Sequence, residues 1–451
     1  MGMTIYSLLA FIVAISVLVA VHEYGHYIVG RWAGMKVLRF SIGFGKPIWM
    51  HIGKGEDKTE YCISAIPLGG YVRFLDGREG PVDPEDEGRA FNHRPIPARI
   101  AVLFAGPLFN FLFAILIYWA LFVYGEDVSR PAIGAVEPGS YAAEAGLQRG
   151  DRILAVGDVE TADWEPALIA ILDQMVSDGR VTMRLVDADG DERSTTLVVS
   201  GDRARLTEPG ELFQGLGFQA WRPSSLVGEF DDVSAARDAG IQAGDLITAV
   251  DGAEVANFFE LRELVLPRPG ERVTVEFLRD EQLMTADVEL GSRDFSGQTV
   301  GLLGIFPADD VRDYYYTRRY GVLESFNEAV SRTWTSSVFT VKMLGRMVTG
   351  DVSIKNISGP INIAQFAGAT AQRGLPEYVG FLAIVSLSLG IINLFPVPVL
   401  DGGQIVYQLV EAIKGSPLSE RAQIAGQQVG ILALILLMSF AIFNDIAGIL
   451  K

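Results

Sequence analysis

The feature that most limits what this chain can fold into is an uncharged apolar run, 5–21, that passes directly into His22-Glu23-Tyr24-Gly25-His26. A run of that length and composition can cross a bilayer only as a helix, because lipid offers backbone N–H and C=O groups no water to bond. Residues four apart share a helix face, so the imidazoles of His22 and His26 leave on the same side. With Glu23 between them they form the H-E-x-x-H arrangement, in which two neutral imidazoles hold Zn2+ and the carboxylate is placed to activate water at the ion. The plainer reading is that these are ordinary interfacial residues after an apolar helix. Against it, the chain has only four His, at 22, 26, 51 and 93, and two of them fall at ligand spacing around a Glu. Ionisable groups at membrane depth are costly to bury and mark functional sites.

The 451 residues are 49% hydrophobic, and the apolar excess is concentrated in four runs, at 4–21, 100–124, 379–395 and 429–443. Each reads as a transmembrane helix, within the segments 1–30, 99–125, 377–401 and 424–446; the last is short unless 424–428 is included. The first run follows no Lys or Arg and precedes no small-residue cleavage site, so it is expected to be retained rather than removed as a signal peptide. Arg31, Lys36 and Arg39 follow the first span, and Arg89, Arg94 and Arg99 precede the second. The loop between them, 31–98, is therefore expected on the cytoplasmic side, as is 402–423, with the long central region outside. That region, 125–375, carries 40 Asp and Glu against 23 Lys and Arg, which argues against a nucleic-acid partner. The single Cys62 excludes an intrachain disulfide.

Within the first loop, short apolar runs at 37–44, 48–52, 61–66 and 71–75 are separated or ended by turn residues, Gly43, Gly45, Pro47, Gly53, Pro67, Gly69 and Gly70 among them. They predict a small four-stranded antiparallel meander, apolar enough on both faces to dip into the membrane beside the first helix. An open edge of such a sheet could hold an extended substrate by strand addition; the alternative is a plain cytoplasmic hairpin domain. His51 and His93 lie in this part. Either could complete a zinc site, although each is more often a surface or core residue.

The region outside the membrane is duplicated. Residues 144–156 align with 238–250 at a constant offset of 94, pairing Gly150-Asp151 with Gly244-Asp245. The shared A-G-[LI]-Q-x-G-D-x-I-x-x-V pattern is a turn followed by an alternating strand and closely resembles the PDZ domain, with copies expected at 126–220 and 221–306. PDZ domains take up extended peptide tails by strand addition; the copies could equally be spacers or filters without a ligand. Beyond them, apolar residues at three-to-four spacing between 312 and 350, interrupted by Lys342 and Arg346, place an amphipathic interfacial helix within 307–376.

A catalytic zinc needs a third protein ligand. In Asn393-Leu394-Phe395-Pro396-Val397-Pro398-Val399-Leu400-Asp401-Gly402-Gly403, two prolines break the third span and Asp401 follows a long uncharged stretch. Asp401 fits as that ligand; the alternative is that it only caps a helix starting near Gly402. Asn393 could hold helices together or hydrogen-bond substrate backbone, whereas Asn110, after Gly106-Pro107 in the second span, reads as structural. Taken in order, these motifs resemble the site-2 protease family, in its bacterial regulator-of-sigma-E branch. The resemblance implies zinc on His22, His26 and Asp401, Glu23 as catalytic base, and substrate contacts at Asn393, Gly43 and Gly45. It also implies cleavage of single-span membrane proteins in the bacterial inner membrane, anti-sigma factors and leftover signal peptides among them, after an earlier external cut. The rival reading is a membrane-tethered PDZ scaffold that binds exposed protein tails. Overall, the expected fold is a polytopic α-helical membrane protein with four transmembrane helices, a membrane-associated β-sheet and two extracytoplasmic PDZ domains.

Overall fold

The computed structural model describes residues 5–187, 189–295 and 298–450. Residues 1–4 of the expected first span, and 188, 296 and 297 in the expected repeats, lie outside them. The chain divides into two units, one running to Glu126 and resuming at Arg319, the other covering Asp127–Arg318.

Among the described residues of the first unit, four helices are long and apolar enough to cross a bilayer: Ile5–Trp32, Ile96–Tyr124, Leu375–Asn393 and Glu420–Ile449. The first buries Ser7, Phe11, Ala14, Leu18, His22 and Gly25. These positions advance by three or four, so they make one stripe along the helix, and His22 belongs to it. Ser7 and Phe11 pack on the helix Pro360–Arg373, and the rest of the stripe packs on the second span helix, where the two backbones approach closely because both residues are small. A Cβ on Gly25 would lie 2.4 Å from the Ala105 carbonyl oxygen. In lipid the apolar surface gains little from avoiding solvent, so close packing of this kind carries the association. Leu18, Ala114, Ile117, Phe122, Ala383, Leu387 and Ile391 extend it into a core shared by the first three spans.

The first-loop sheet departs from the expected meander. Its four runs lie in two long strands, Val37–Ile52 and Glu60–Phe74. Val37 pairs with Phe74, Ile42 with Gly70, Met50 with Cys62 and Ile52 with Glu60, which is the register of a single antiparallel hairpin. Arg39, Phe40, Ser41 and Ile42 also lie beside Glu60, Tyr61, Cys62 and Ile63, with residue numbers rising together. The hairpin has therefore folded back on itself, and the order across the sheet is 47–52, 60–66, 37–44, 70–74. Glycine permits the fold: Gly43, Gly45 and Gly69 adopt φ of 90°, 87° and 133°, conformations that residues with a Cβ avoid. Reading neighbouring runs as neighbouring strands missed this bend.

Two further corrections concern the chain after the third span. That helix ends at Asn393, and a separate helix, Asp401–Lys414, occupies much of the stretch expected to be loop. Before the third span, the expected amphipathic helix is Val322–Thr349, followed by a second helix, Pro360–Arg373. Asp445 of the fourth span is fully buried and accepts hydrogen bonds from the backbone N–H groups of Gly359, Ile361 and Asn362, at 2.8, 2.9 and 3.1 Å. It caps the helix that begins at Pro360, where unpaired N–H groups favour a carboxylate.

The second unit repeats one plan. A four-stranded sheet ordered Val159–Glu160, Arg152–Val156, Arg180–Val186, Glu192–Val198 is matched by Ala253–Glu254, Leu246–Val250, Arg272–Arg279, Gln282–Glu289. Each copy also pairs an early strand with a late one, Ile133–Val136 with Phe218–Ala220 and Val227–Phe230 with Ile305–Pro307. The repeated Gly-Asp has one structural use in both. Asp151 accepts from the Gln148 N–H at 2.7 Å and pairs with Arg193, while Asp245 accepts from the Gln242 N–H at 2.7 Å and pairs with Arg279. Burial works against the Asp245 carboxylate, but the Arg279 fork and the turn N–H hold its pKa below the usual value. The unit runs past the expected boundary at 306, to a strand Tyr315–Arg318 that pairs with Glu126–Ser129.

Candidate metal centre

His22, Glu23 and His26 are all buried on the first span helix. The sequence brings two other elements to them through missing side chains. Gly106 of the second span faces the imidazoles, and a Cβ there would lie 2.3 Å from His26 Nε2 and 2.8 Å from His22 Cε1. Gly402 and Gly403 let the helix starting at Asp401 press on the turn before it, where added Cβ atoms would meet the Leu394 and Val397 carbonyl oxygens at 2.2 and 2.0 Å. Asp401 is the first residue of that helix; the cap position is Leu400, and no side chain caps it. The capping alternative for Asp401 is thereby removed. Gln404 Nε2 donates to the Pro398 carbonyl at 2.8 Å and braces the same turn.

His22 Nε2 and His26 Nε2 lie 3.2 Å apart, and Asp401 Oδ2 is 3.1 Å from the first and 3.4 Å from the second. Among the described residues, these three are the one group of three or more His, Cys, Asp or Glu with ligand atoms this close together. Among the described residues, none makes a hydrogen bond of acceptable geometry to the buried Asp401 Oδ2. Three lone-pair donors facing one point in a buried site repel unless a cation or protons lie between them, so the arrangement fits a metal ion. A donor set of two His and one Asp suits catalytic zinc, which takes three protein ligands and keeps a fourth position for water or substrate. His26 Nδ1 donates to the Val102 carbonyl at 2.8 Å, which leaves Nε2 with its lone pair toward the other two donors.

The other expected residues are placed as follows. Asn393 closes the third span helix and is half-buried. Gly43 and Gly45 lie at the bend of the hairpin. His51 stacks on Trp49 at 6.1 Å, and His93 sits in a short turn, Phe91–His93, so neither joins the cluster. The edge of the hairpin does reach the site. A Cβ on Gly70 would lie 3.1 Å from Glu23 Cγ and 2.7 Å from Val19 Cγ1 of the same helix. Tyr27 and Tyr61, whose hydroxyls are 2.7 Å apart, tie the same helix to the sheet. Asn110, read from the sequence as structural, is fully buried with its amide 3.1 Å from His22 Nδ1, a place beside the site that sequence reasoning did not give it. A polar side chain inside an apolar span, one turn beyond Gly106-Pro107, was the available signal.

Comparison with known proteins agrees with this geometry. A model of peptidase family M50 matches residues 10–437. The chain belongs to peptidase family M50. It is 40% identical over 447 residues to the regulator of sigma-E protease RseP of Escherichia coli K12, covering 98% of each chain. It is 39% identical over 452 residues to a protein of Neisseria meningitidis serogroup A that is named as a zinc metalloprotease, covering 99% of this chain and all of that one. A PDZ domain from Listeria monocytogenes is 25% identical over 20% of this chain and 90% of that one, with a TM-score of 0.17. As an M50 peptidase, the protein is an intramembrane zinc metalloprotease.

Proposed function

We propose that this M50 peptidase cuts single-span membrane proteins within the bilayer of the bacterial inner membrane, and that its substrates are of the anti-sigma-factor and remnant-signal-peptide type. The observation that carries the reading is the contact of the hairpin edge with Glu23, which puts a strand edge beside the ligand triad. His22, His26 and Asp401 would hold the zinc, and bound zinc would supply a Lewis acid that polarises the scissile carbonyl and makes water nucleophilic. Glu23 takes the proton lost by that water and returns it to the leaving amine. Before this, the substrate helix has to unwind, since an intact helix keeps its carbonyls in i to i+4 bonds. An extended backbone laid along 70–72 would present its peptide bonds to the triad, with the bend at Gly43 and Gly45 fixing that edge and Asn393 bonding the substrate backbone.

In this reading the duplicated unit lies on the extracytoplasmic side as two PDZ domains that bind peptide tails or exclude substrates with bulky external parts. An earlier external cut would then precede this one. The test is cleavage of a tagged single-span substrate with a short external domain by the purified protein in detergent. Wild type should cut within the span, a zinc chelator should abolish cutting, and Glu23→Gln should lower its rate about 10²–10⁴-fold. Equal cleavage by wild type and Glu23→Gln would reject the mechanism.

A further inference from the structure

The second span contributes no ligand to the triad, yet its groups meet the far nitrogen of both histidines. For His26 the partner is the Val102 carbonyl, which can only accept, so Nδ1 carries the proton and Nε2 is free for metal. For His22 the partner is Asn110, whose amide nitrogen is drawn 3.1 Å from Nδ1 while its oxygen is buried without a hydrogen bond. An amide that donates to Nδ1 would force the His22 proton onto Nε2, the atom that faces His26 and Asp401. Half a turn of the amide exchanges its oxygen and nitrogen at almost no change of shape. The oxygen then accepts from Nδ1–H, and His22 presents the same tautomer as His26.

We propose that Asn110 is a positioning residue of the zinc site, its side-chain oxygen accepting the His22 Nδ1 proton and so committing Nε2 to the metal. Two further contacts keep Asn110 in place: its backbone carbonyl accepts from Ser386 Oγ at 2.9 Å, and the neighbouring Gly390 packs with its Cα hydrogen against the Asn110 Cβ, where an added Cβ would come within 3.4 Å. The third span thereby fixes the residue that orients a ligand on the first. Partners of this kind orient metal-binding imidazoles and raise their basicity, and losing one costs about 10–100-fold in metal affinity or activity.

The inference rests on the zinc reading of the triad, and its test separates the two. Zinc affinity of the full-length protein in detergent is measured by competition with a chromogenic chelator, together with melting temperature in the zinc-free and zinc-loaded forms. Asn110→Leu keeps the volume and removes the acceptor; Asn110→Asp keeps an acceptor oxygen. The expected result is a zinc Kd raised about 10–100-fold in Asn110→Leu, a smaller rise in melting temperature on adding zinc, and an unchanged zinc-free melting temperature. Asn110→Asp should bind zinc as tightly as wild type or more tightly. If Asn110→Leu binds zinc within twofold of wild type, or falls only in zinc-free stability, the proposal is wrong. Should Asn110→Leu fail to fold, Asn110→Asp decides: a folded Asp variant with weakened zinc binding overturns it. Failure of wild type itself to bind zinc would instead reject the triad as a metal centre.

Discussion

Buried carboxylate oxygens in the two units of this protein are nearly all satisfied by fixed donors, with one in the membrane unit left open. In the duplicated unit, Asp151 and Asp245 each have side chains only 1% exposed, and each is matched by an arginine and a turn N–H. In the membrane unit, Asp445 is likewise satisfied, by three backbone N–H groups. Asp401 is the contrast: its buried Oδ2 faces two imidazole nitrogens and receives no hydrogen bond. A satisfied buried carboxylate holds a fold together, whereas one left open inside an otherwise well-bonded structure is reserved for something that binds there.

Substitutions can break that contrast. The largest effect is expected at Asp401: Asp401→Ala should remove zinc from the purified protein, measured by metal analysis, and with it all cleavage. Retention of stoichiometric zinc would show that the open carboxylate is not a ligand. Glu23→Gln should keep zinc but lower the cleavage rate by about 10²–10⁴-fold, the range of a lost general base. Asp445→Ala should do the reverse, leaving zinc affinity unchanged while lowering stability by about 2–4 kcal/mol, since it strands backbone donors that now bond a charged group. A thermal melt paired with chelator competition distinguishes the two behaviours, and a large loss of zinc in Asp445→Ala would blur the proposed division.

In the duplicated unit the expected effects are smaller and depend on pH. The folded-state pKa of Asp245 is depressed, so its contribution is fully present above the unfolded value of about 4 and is lost as pH falls through the folded one. Asp245→Asn should therefore increase hydrogen exchange in the strand Arg272–Arg279 at pH 7 and change it little near the acid limit, at a cost of about 1–2 kcal/mol. An equal effect at both ends would mean that the carboxylate charge is not what matters. At the bottom of the scale, Arg272 and Glu289 are 74% and 72% exposed and 3.6 Å apart. Breaking that pair should change stability by less than about 0.5 kcal/mol in the same exchange measurement.

The chemistry of the site was legible where it depends on local spacing. His22 and His26 share a face because a helix turns every 3.6 residues, and the run before them can only be a helix in lipid. The duplication was legible for the same reason, since a repeated Gly-Asp turn is a local solution used twice. Asp401 was legible less directly, through a carboxylate placed after an uncharged span.

Other features were decided by contacts between distant segments. Nothing local in residues 37–74 distinguishes a meander from one long hairpin bent over at its glycines, because both use the same strands and turns. The choice depends on which edge meets the first span, and Gly70 meets it at Glu23. The uses of Asn110 and Asp445 were hidden for a related reason. A polar residue in an apolar helix announces that it must have a partner, but the partners lie 88 residues away at His22 and 83–86 residues away at the start of another helix. Sequence alone determined that this chain is a membrane-embedded helical protein with two histidines poised for zinc, because lipid and helix periodicity act residue by residue. Only the tertiary structure decided that Asp401 comes within reach of both imidazoles, which carboxylates are spent on structure, and which strand edge lies beside Glu23, because those outcomes depend on close packing between segments far apart in the chain.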